Sequence, residues 1–595
     1  MARGFAIVGP TMEAPELAFR LATGSPGRDP RRSADVSGFV FRRSLLSLMT
    51  LAAILVVTGG ILVALGVAAW AVAVLAVAIV GLQYAVNPRL MQWLVPATII
   101  PQLPDGSGYA TAHPLGAIVA RRCREAGIPL VRLGIVNDGM PNAFTFGHVQ
   151  ADARVWVTRG LLDRLDEREL DAVVAHEIGH IKHHDFVVMT FAAGIPILAY
   201  YTMLTVRSAR NRNSLPVFLA AYALYLVTTL VVLALARARE TAADHHSCAV
   251  TGDGDALCSA LVKIAYGMGQ VKAERRARSA ALIAQAKAAG RRDRTARRAL
   301  ARESQRQHRI DSMRPLGISD PNQAAAIVLA AEEGIAPHEV LGALRWEAVS
   351  PWGRFQELLS SHPIVVHRIA ALERSGLAGA PKNWHAVDVE AAKADPAAGR
   401  ARRRFPFELF IRFASTIALL GVLLGWAQHS ARTIGWALLA GGVLLAIKAV
   451  LKHPAGPFQP VDRVTSLLPR LDASPVRGLP VSLRGRIIGR AMPGYVLSPD
   501  LVLQDGSGFV PLLYSQPVPF SRALFAMLRA GGYANQEVIA RGWYRRSPAP
   551  YVELKDIVAA DGRRSRSWQW AYDYVAAAAL AVVGLLTVLV QLGVR

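Results

Sequence analysis

The stretch AHEIGHIKHHD, residues 175–185, places His176, Glu177 and His180 at HExxH spacing. Residues four apart share one face of a helix, so His176 and His180 can offer two imidazole nitrogens to a single metal ion. Glu177 adjoins the first ligand, where its carboxylate can take a proton from water held by the ion. A catalytic zinc needs a third protein ligand and one open position. The best candidate is Glu240 in ARARETAADHHSCAV, residues 236–250. Asp244, one turn further on the same face, can accept a hydrogen bond from a ligand imidazole and orient it. His183, His184, His245 and His246 are not expected to bind the ion, and the first two are wrongly spaced to share it.

These residues need elements that hold them together. Residues 166–185 carry apolar side chains at 170, 173, 174, 178 and 181, the pattern of an amphipathic helix. Apolar runs follow at 186–206 and 215–236, and Glu240 comes four residues after the second. A helical hairpin returns both ends to one side of a bilayer. At ~1.5 Å per residue, His180 and Glu240 then lie roughly 6–9 Å from the span ends. The metal would be assembled at the membrane surface, on helices that extend membrane spans.

Composition agrees. The chain has 595 residues, 52% hydrophobic and 18% charged, with a mean hydropathy of +0.29 and a formal net charge of +24. Such basicity suits nucleic acid or a membrane protein with Lys/Arg-rich cytoplasmic loops. Clustered apolar runs near the ~20 residues of a spanning helix favour the second. Candidate spans number seven: two in 44–86, then 186–206, 215–236, 405–427, 434–451 and 569–593. A cytoplasmic N-terminus puts every large soluble segment in the cytoplasm, although Arg207, Arg210 and Arg212 then fall on the far side. The N-terminus does not read as a simple signal peptide. Cys123, Cys248 and Cys258 form no CxxC pair, which argues against a disulfide framework and fits a reducing compartment.

The expected organisation is a basic tail (1–43), two spans (44–86), and a catalytic region (87–404) with its hairpin (186–236) and a basic insertion (272–315). Two more spans (405–451), a soluble β-rich module (452–567) and a last span (569–593) follow. In the module, β-prone runs and the hairpin signal DGSG at 505–508 resemble a small OB-like barrel. Trp543, Tyr544 and Tyr551 could stack bases there, but they are expected to pack the barrel, and no nucleic-acid partner is expected.

Four blocks, PNAFTFG (141–147), LDAVVAHEIGHIKHHD (170–185), ARARETAADHHSCAVTGDGDALCSALVKIA (236–265) and SSHPIVVHRIAAL (360–372), resemble the HtpX-type membrane zinc metallopeptidases, relatives of the CAAX-prenyl endopeptidases. The resemblance covers roughly 44–375. It implies a gluzincin-type metallopeptidase domain on transmembrane helices, with one zinc held by His176, His180 and Glu240, and Glu177 as base. It also implies Asn142 at the substrate-binding edge, with His362 and Arg368 near the cleft and His362 helping to stabilise the oxyanion. The basic insertion and everything after it that forms the C-terminal spans and β-module depart from the short family members.

The expectation is therefore a mainly α integral membrane protein with a small OB-like C-terminal module. It would be a zinc endopeptidase of a bacterial cell membrane with a cytoplasm-facing site. Its substrates would be membrane or unfolded polypeptides met at the lipid bilayer, in protein quality control. The rivals are a dedicated processing protease for one lipidated or regulatory partner, a non-catalytic membrane scaffold, and a transporter. The last lacks intramembrane charge pairs or an inverted repeat.

Overall fold

A computed structural model describes residues 69–138, 141–208, 214–264, 344–377, 379–382, 393–490, 499–547 and 549–593. The basic tail, residues 44–68 of the first span pair, Arg210 and Arg212, and the basic insertion lie outside them.

Helix α1 (Ala69–Leu94) leads into a four-stranded sheet of β1 (Thr98–Ile100), β2 (Arg132–Val136), β3 (Ala143–Phe146) and β4 (Arg154–Thr158), in the order β1-β2-β4-β3. Only the β2–β4 pair is parallel; β3 runs antiparallel to β4 and forms the sheet's edge. Helix α2 (Pro114–Ala126) starts on a proline, is capped by His113, and stops at Gly127, whose φ of 69° suits a residue without Cβ. It packs with the sheet and with α3 (Glu167–Lys182) in one core that includes Leu115, Leu133, Val155 and Val173.

Helix α3 begins in a reciprocal capping box, Asp166 with Glu169. The predicted apolar face, Leu170, Val173, Val174, Ile178 and Ile181, is at most 3% exposed, each side chain contributing about 2 kcal/mol of burial. It ends at Lys182, and the chain passes through the left-handed His184 (φ 57°) before α4 (Asp185–Ser208) starts. Here the expectation of continuous extension from a membrane helix is corrected: α3 and α4 are separate helices joined by a left-handed residue. The other partner does run on. Helix α5 (Ser214–Thr251) is 38 residues without interruption, from the apolar run through Glu240 and Asp244.

Helices α6 (Pro351–Leu358) and α7 (Val365–Arg374) complete this half. Helices α8 (Pro396–Arg412) and α9 (Ala414–Ala427) meet at a bend of 42°, and α10 (Ala431–Lys452) returns beside them.

The C-terminal module holds β5 (Gln459–Val461), β6 (Leu479–Arg490), β7 (Leu501–Asp505), β8 (Gly508–Leu513), α11 (Pro519–Leu528), β9 (Glu537–Ser547), β10 (Ala549–Ala559) and β11 (Arg564–Arg566). Strands β6, β7, β8, β10 and β9 close a ring, because β9 pairs both β10 and β6. The β8–β10 pair is parallel and α11 lies between the third and fourth ring strands. That connectivity is a five-stranded Greek-key barrel of OB type. Trp543 and Tyr544 are buried at 3% and 1% exposure, so neither presents a face to a base, and Tyr551 lies under the Arg545 guanidinium.

Helix α12 (Gln569–Gln591) ends the described chain. Among the described residues, three helices are long and apolar enough to cross a membrane, over Leu219–Thr251, Ala431–Lys452 and Gln569–Gln591; the bent α8–α9 pair passes as a fourth. The barrel is joined to the first half by buried contacts. Trp346 donates its indole N–H to the Ala473 carbonyl at 3.0 Å, and the Arg546 guanidinium stacks 4.7 Å from its ring centre.

Candidate metal centre and cleft

One turn apart on α3, His176 and His180 turn their Nε2 atoms to within 3.1 Å of each other. Glu240 of α5 comes from the facing helix, its carboxylate oxygens 3.7 Å from His176 Nε2 and 3.5 Å from His180 Nε2. Ligands at about 2.0–2.2 Å in a tetrahedral shell are about 3.4 Å apart, so these spacings fit a divalent metal without rearrangement. Two imidazoles and a carboxylate, nearly sealed from solvent, are also the donor set such an ion prefers. No other such cluster of His, Cys, Asp or Glu occurs among the described residues.

Both imidazoles are held from behind. Asp244 Oδ1 lies 3.0 Å from His176 Nδ1, and Asp185 Oδ2 lies 2.7 Å from His180 Nδ1. A carboxylate on Nδ1 fixes the tautomer that leaves Nε2 free for a metal. Each carboxylate is in turn held by an arginine. Arg239 pairs with Asp185 and donates to the His183 carbonyl at 2.8 Å. Arg368 forks onto Asp244 at 2.8 and 2.6 Å, and its third nitrogen lies 3.6 Å from Glu240. At 2% exposure Arg368 is buried behind the ligands and does not line the cleft. A guanidinium buried on the inner face of α7 needs the two carboxylates that α5 presents, so it braces the centre.

Glu177 is 3% exposed and lines the cleft together with Thr145 of β3. Burial pushes its carboxyl above the usual range, while His180 and His176 pull it back. His362 stands with Nδ1 3.2 Å from Glu240 Oε1. Its approach is set by Arg237, which donates to the carbonyls of Glu357 and Ser360 at 2.9 and 2.7 Å and pins the turn before it.

Glu177, His180, Glu240 and His362 form part of the lining of a cleft of about 440 Å³. Its remaining walls include Met189 of α4 and Val232 of α5, so apolar hairpin surface borders the ligands. Thr145 and Phe146 of β3 and Gly147 just after it border it. Asn142, at the start of that strand, is outside the lining; its backbone N–H bonds the Thr158 hydroxyl at 2.8 Å. His183 and His246 pack edge-to-face on each other, ring centres 5.7 Å apart, outside the ligand cluster. Asp185, Arg237, Arg239 and Thr145 carry no motif and were missed in the sequence.

Residues 110–375 match the family model of Peptidase family M48. A protease HtpX homolog of Methanothermobacter thermautotrophicus is 36% identical over 233 residues, which is 39% of this chain and 87% of that protein. One from Moorella thermoacetica is 33% identical over 253 residues, 40% of this chain and 82% of that protein. The crystal structure of S. mikatae Ste24p aligns over 38% of this chain and 59% of that one at 15% identity, with a TM-score of 0.26, too low to support an argument.

Proposed function

The chain belongs to the HtpX-type proteases of peptidase family M48, and from that premise we propose that its metal is zinc, held by His176, His180 and Glu240. It is an integral-membrane metalloprotease with a C-terminal β-barrel. The observation that carries the site assignment is the convergence of His176 Nε2, His180 Nε2 and the Glu240 carboxylate, one ligand atom from each lying within 4.8 Å of the others, beside a buried carboxylate, in a cleft walled by the hairpin.

Zinc held by these residues would supply Lewis-acid polarisation of a water and of the scissile carbonyl. Glu177 accepts the proton of the attacking water and returns it to the leaving amine. Asp244 and Asp185 hold the two imidazoles in the metal-binding tautomer. His362 faces the developing oxyanion and donates to it. A substrate segment lies extended along the free edge of β3, its backbone pairing with that strand next to Asn142.

The Lys/Arg excess of the soluble segments supports a cytoplasm-facing site, and apolar cleft walls support membrane or unfolded polypeptides as substrates in quality control. The test compares purified wild type with Glu177→Gln. Both are expected to hold about one zinc by elemental analysis, while casein cleavage falls by about 10²–10⁴ in the variant and stops for wild type under a chelator. A correctly folded wild type without zinc would sink the assignment.

A further inference from the structure

A second cleft, of about 400 Å³, shares no lining residue with the first. It lies where the end of α8, α10 and α12 meet the barrel, and four cations line it: Arg412, Lys448, Lys452 and Arg545. One carboxylate, Asp573, lines it with them. Asp573 is engaged by Lys452 at 2.8 Å, and Glu553, outside the lining, takes Lys452 at 3.3 Å and pairs with Arg545. Lys448 has neutral partners instead, the Arg412 carbonyl at 3.3 Å and the Ser415 hydroxyl at 3.4 Å. Asp573 is the one acidic side chain in the lining beside Arg412, and it is already taken by Lys452.

The cleft sits at a membrane boundary. Arg412 is at the α8–α9 bend, Lys448 and Lys452 are in the last turns of α10, and Tyr572 is in the first turn of α12. Those are the ends of spanning segments nearest the barrel. Phe410, Phe413, Trp568 and Tyr572 are 46–51% exposed around it, the aromatic belt expected at headgroup level. Cations exceeding their counter-ions at that depth are costly unless an anion joins them. Arg412 offers a planar fork and Lys448 a point charge, the pair suited to phosphate oxygens.

We propose that this cleft binds a phosphate group, with Arg412 and Lys448 as its principal donors. An anionic phospholipid headgroup and a soluble phosphate share that chemistry; the position at the bilayer boundary favours the lipid.

The full chain tests this in three forms: wild type, R412Q/K448Q, and R403Q/R404Q. The last removes the same charge from exposed positions on α8 outside the cleft. Native mass spectrometry counts lipid retained from a phosphatidylglycerol and phosphatidylcholine mixture. Wild type and R403Q/R404Q are expected to retain phosphatidylglycerol preferentially, and R412Q/K448Q to lose that preference by about tenfold. In lipid-free detergent, inorganic phosphate and short-chain phosphatidylglycerol are added separately and melting temperature is read. A rise with the lipid alone assigns the headgroup; a rise with inorganic phosphate assigns a soluble ligand. Equal loss in both double variants, wild-type retention in R412Q/K448Q, or no preference in wild type would overturn the proposal. Should R412Q/K448Q fail to fold, K448Q alone is read against the same outcomes.

Discussion

Behind each of His176 and His180 stands a carboxylate, and behind each carboxylate an arginine. Asp244→Asn and Asp185→Asn keep the shape but weaken the hold on the tautomer. Each is expected to lower metal affinity by about 10–100-fold, measured by competition with a chromogenic chelator. His362→Ala is expected to lower kcat by about 10²–10³ with KM and zinc content little changed; an equal rise in KM would mean a substrate-binding role. Asp244 was legible in the sequence because it follows Glu240 by one helical turn. Asp185 was not. It follows His180 by five residues, and only the left-handed His184 swings it back under the imidazole. Arg368 was legible as a candidate but not as a brace, since which way a buried guanidinium points depends on what α5 places opposite it.

At the scale of elements, the centre is a contact between α3 and α5. Gly179 sets their separation: a Cβ there would stand 3.0 Å from the His246 ring. Gly179→Val is expected to push the helices apart and draw Glu240 from the imidazoles, losing zinc and lowering the melting temperature together. If zinc stays at wild-type occupancy, the spacing is not set there. The helices were legible from apolar periodicity and the barrel from its β-prone runs. The break at His183–His184 and the helix Pro519–Leu528 were not, because a local left-handed turn and a short helix leave little periodic signal. The barrel was expected, but the strand pairing that closes it was not legible, since β9 pairs both its neighbour β10 and the distant β6.

At the scale of the molecule, the barrel is seated through Arg546, whose guanidinium lies 3.9 Å from Glu347. Burial pushes the Glu347 carboxyl from 4.5 up to about 7, with Arg546 and His367 pulling it back. Below pH 4.5 both folded and unfolded states are protonated. Across the window from 4.5 to about 7 the unfolded state releases its proton first, so stability falls as pH rises. The loss totals about 3 kcal/mol and levels off above the folded value. Glu347→Gln is expected to flatten that dependence, read as denaturant midpoints across the window by tryptophan fluorescence; an unchanged slope would place the titration elsewhere.

The edge strand β3 has a consequence for what the enzyme can cut. A strand edge reads backbone N–H and C=O groups and is largely indifferent to side chains. A helix arriving from the bilayer has spent those groups on itself. With β3 as the docking edge, such a segment becomes cleavable only when it frays, and turnover follows its local unfolding equilibrium. The cleft would then grade its clients by how poorly they hold together, and two substrates of the same sequence but different packing would have different lifetimes.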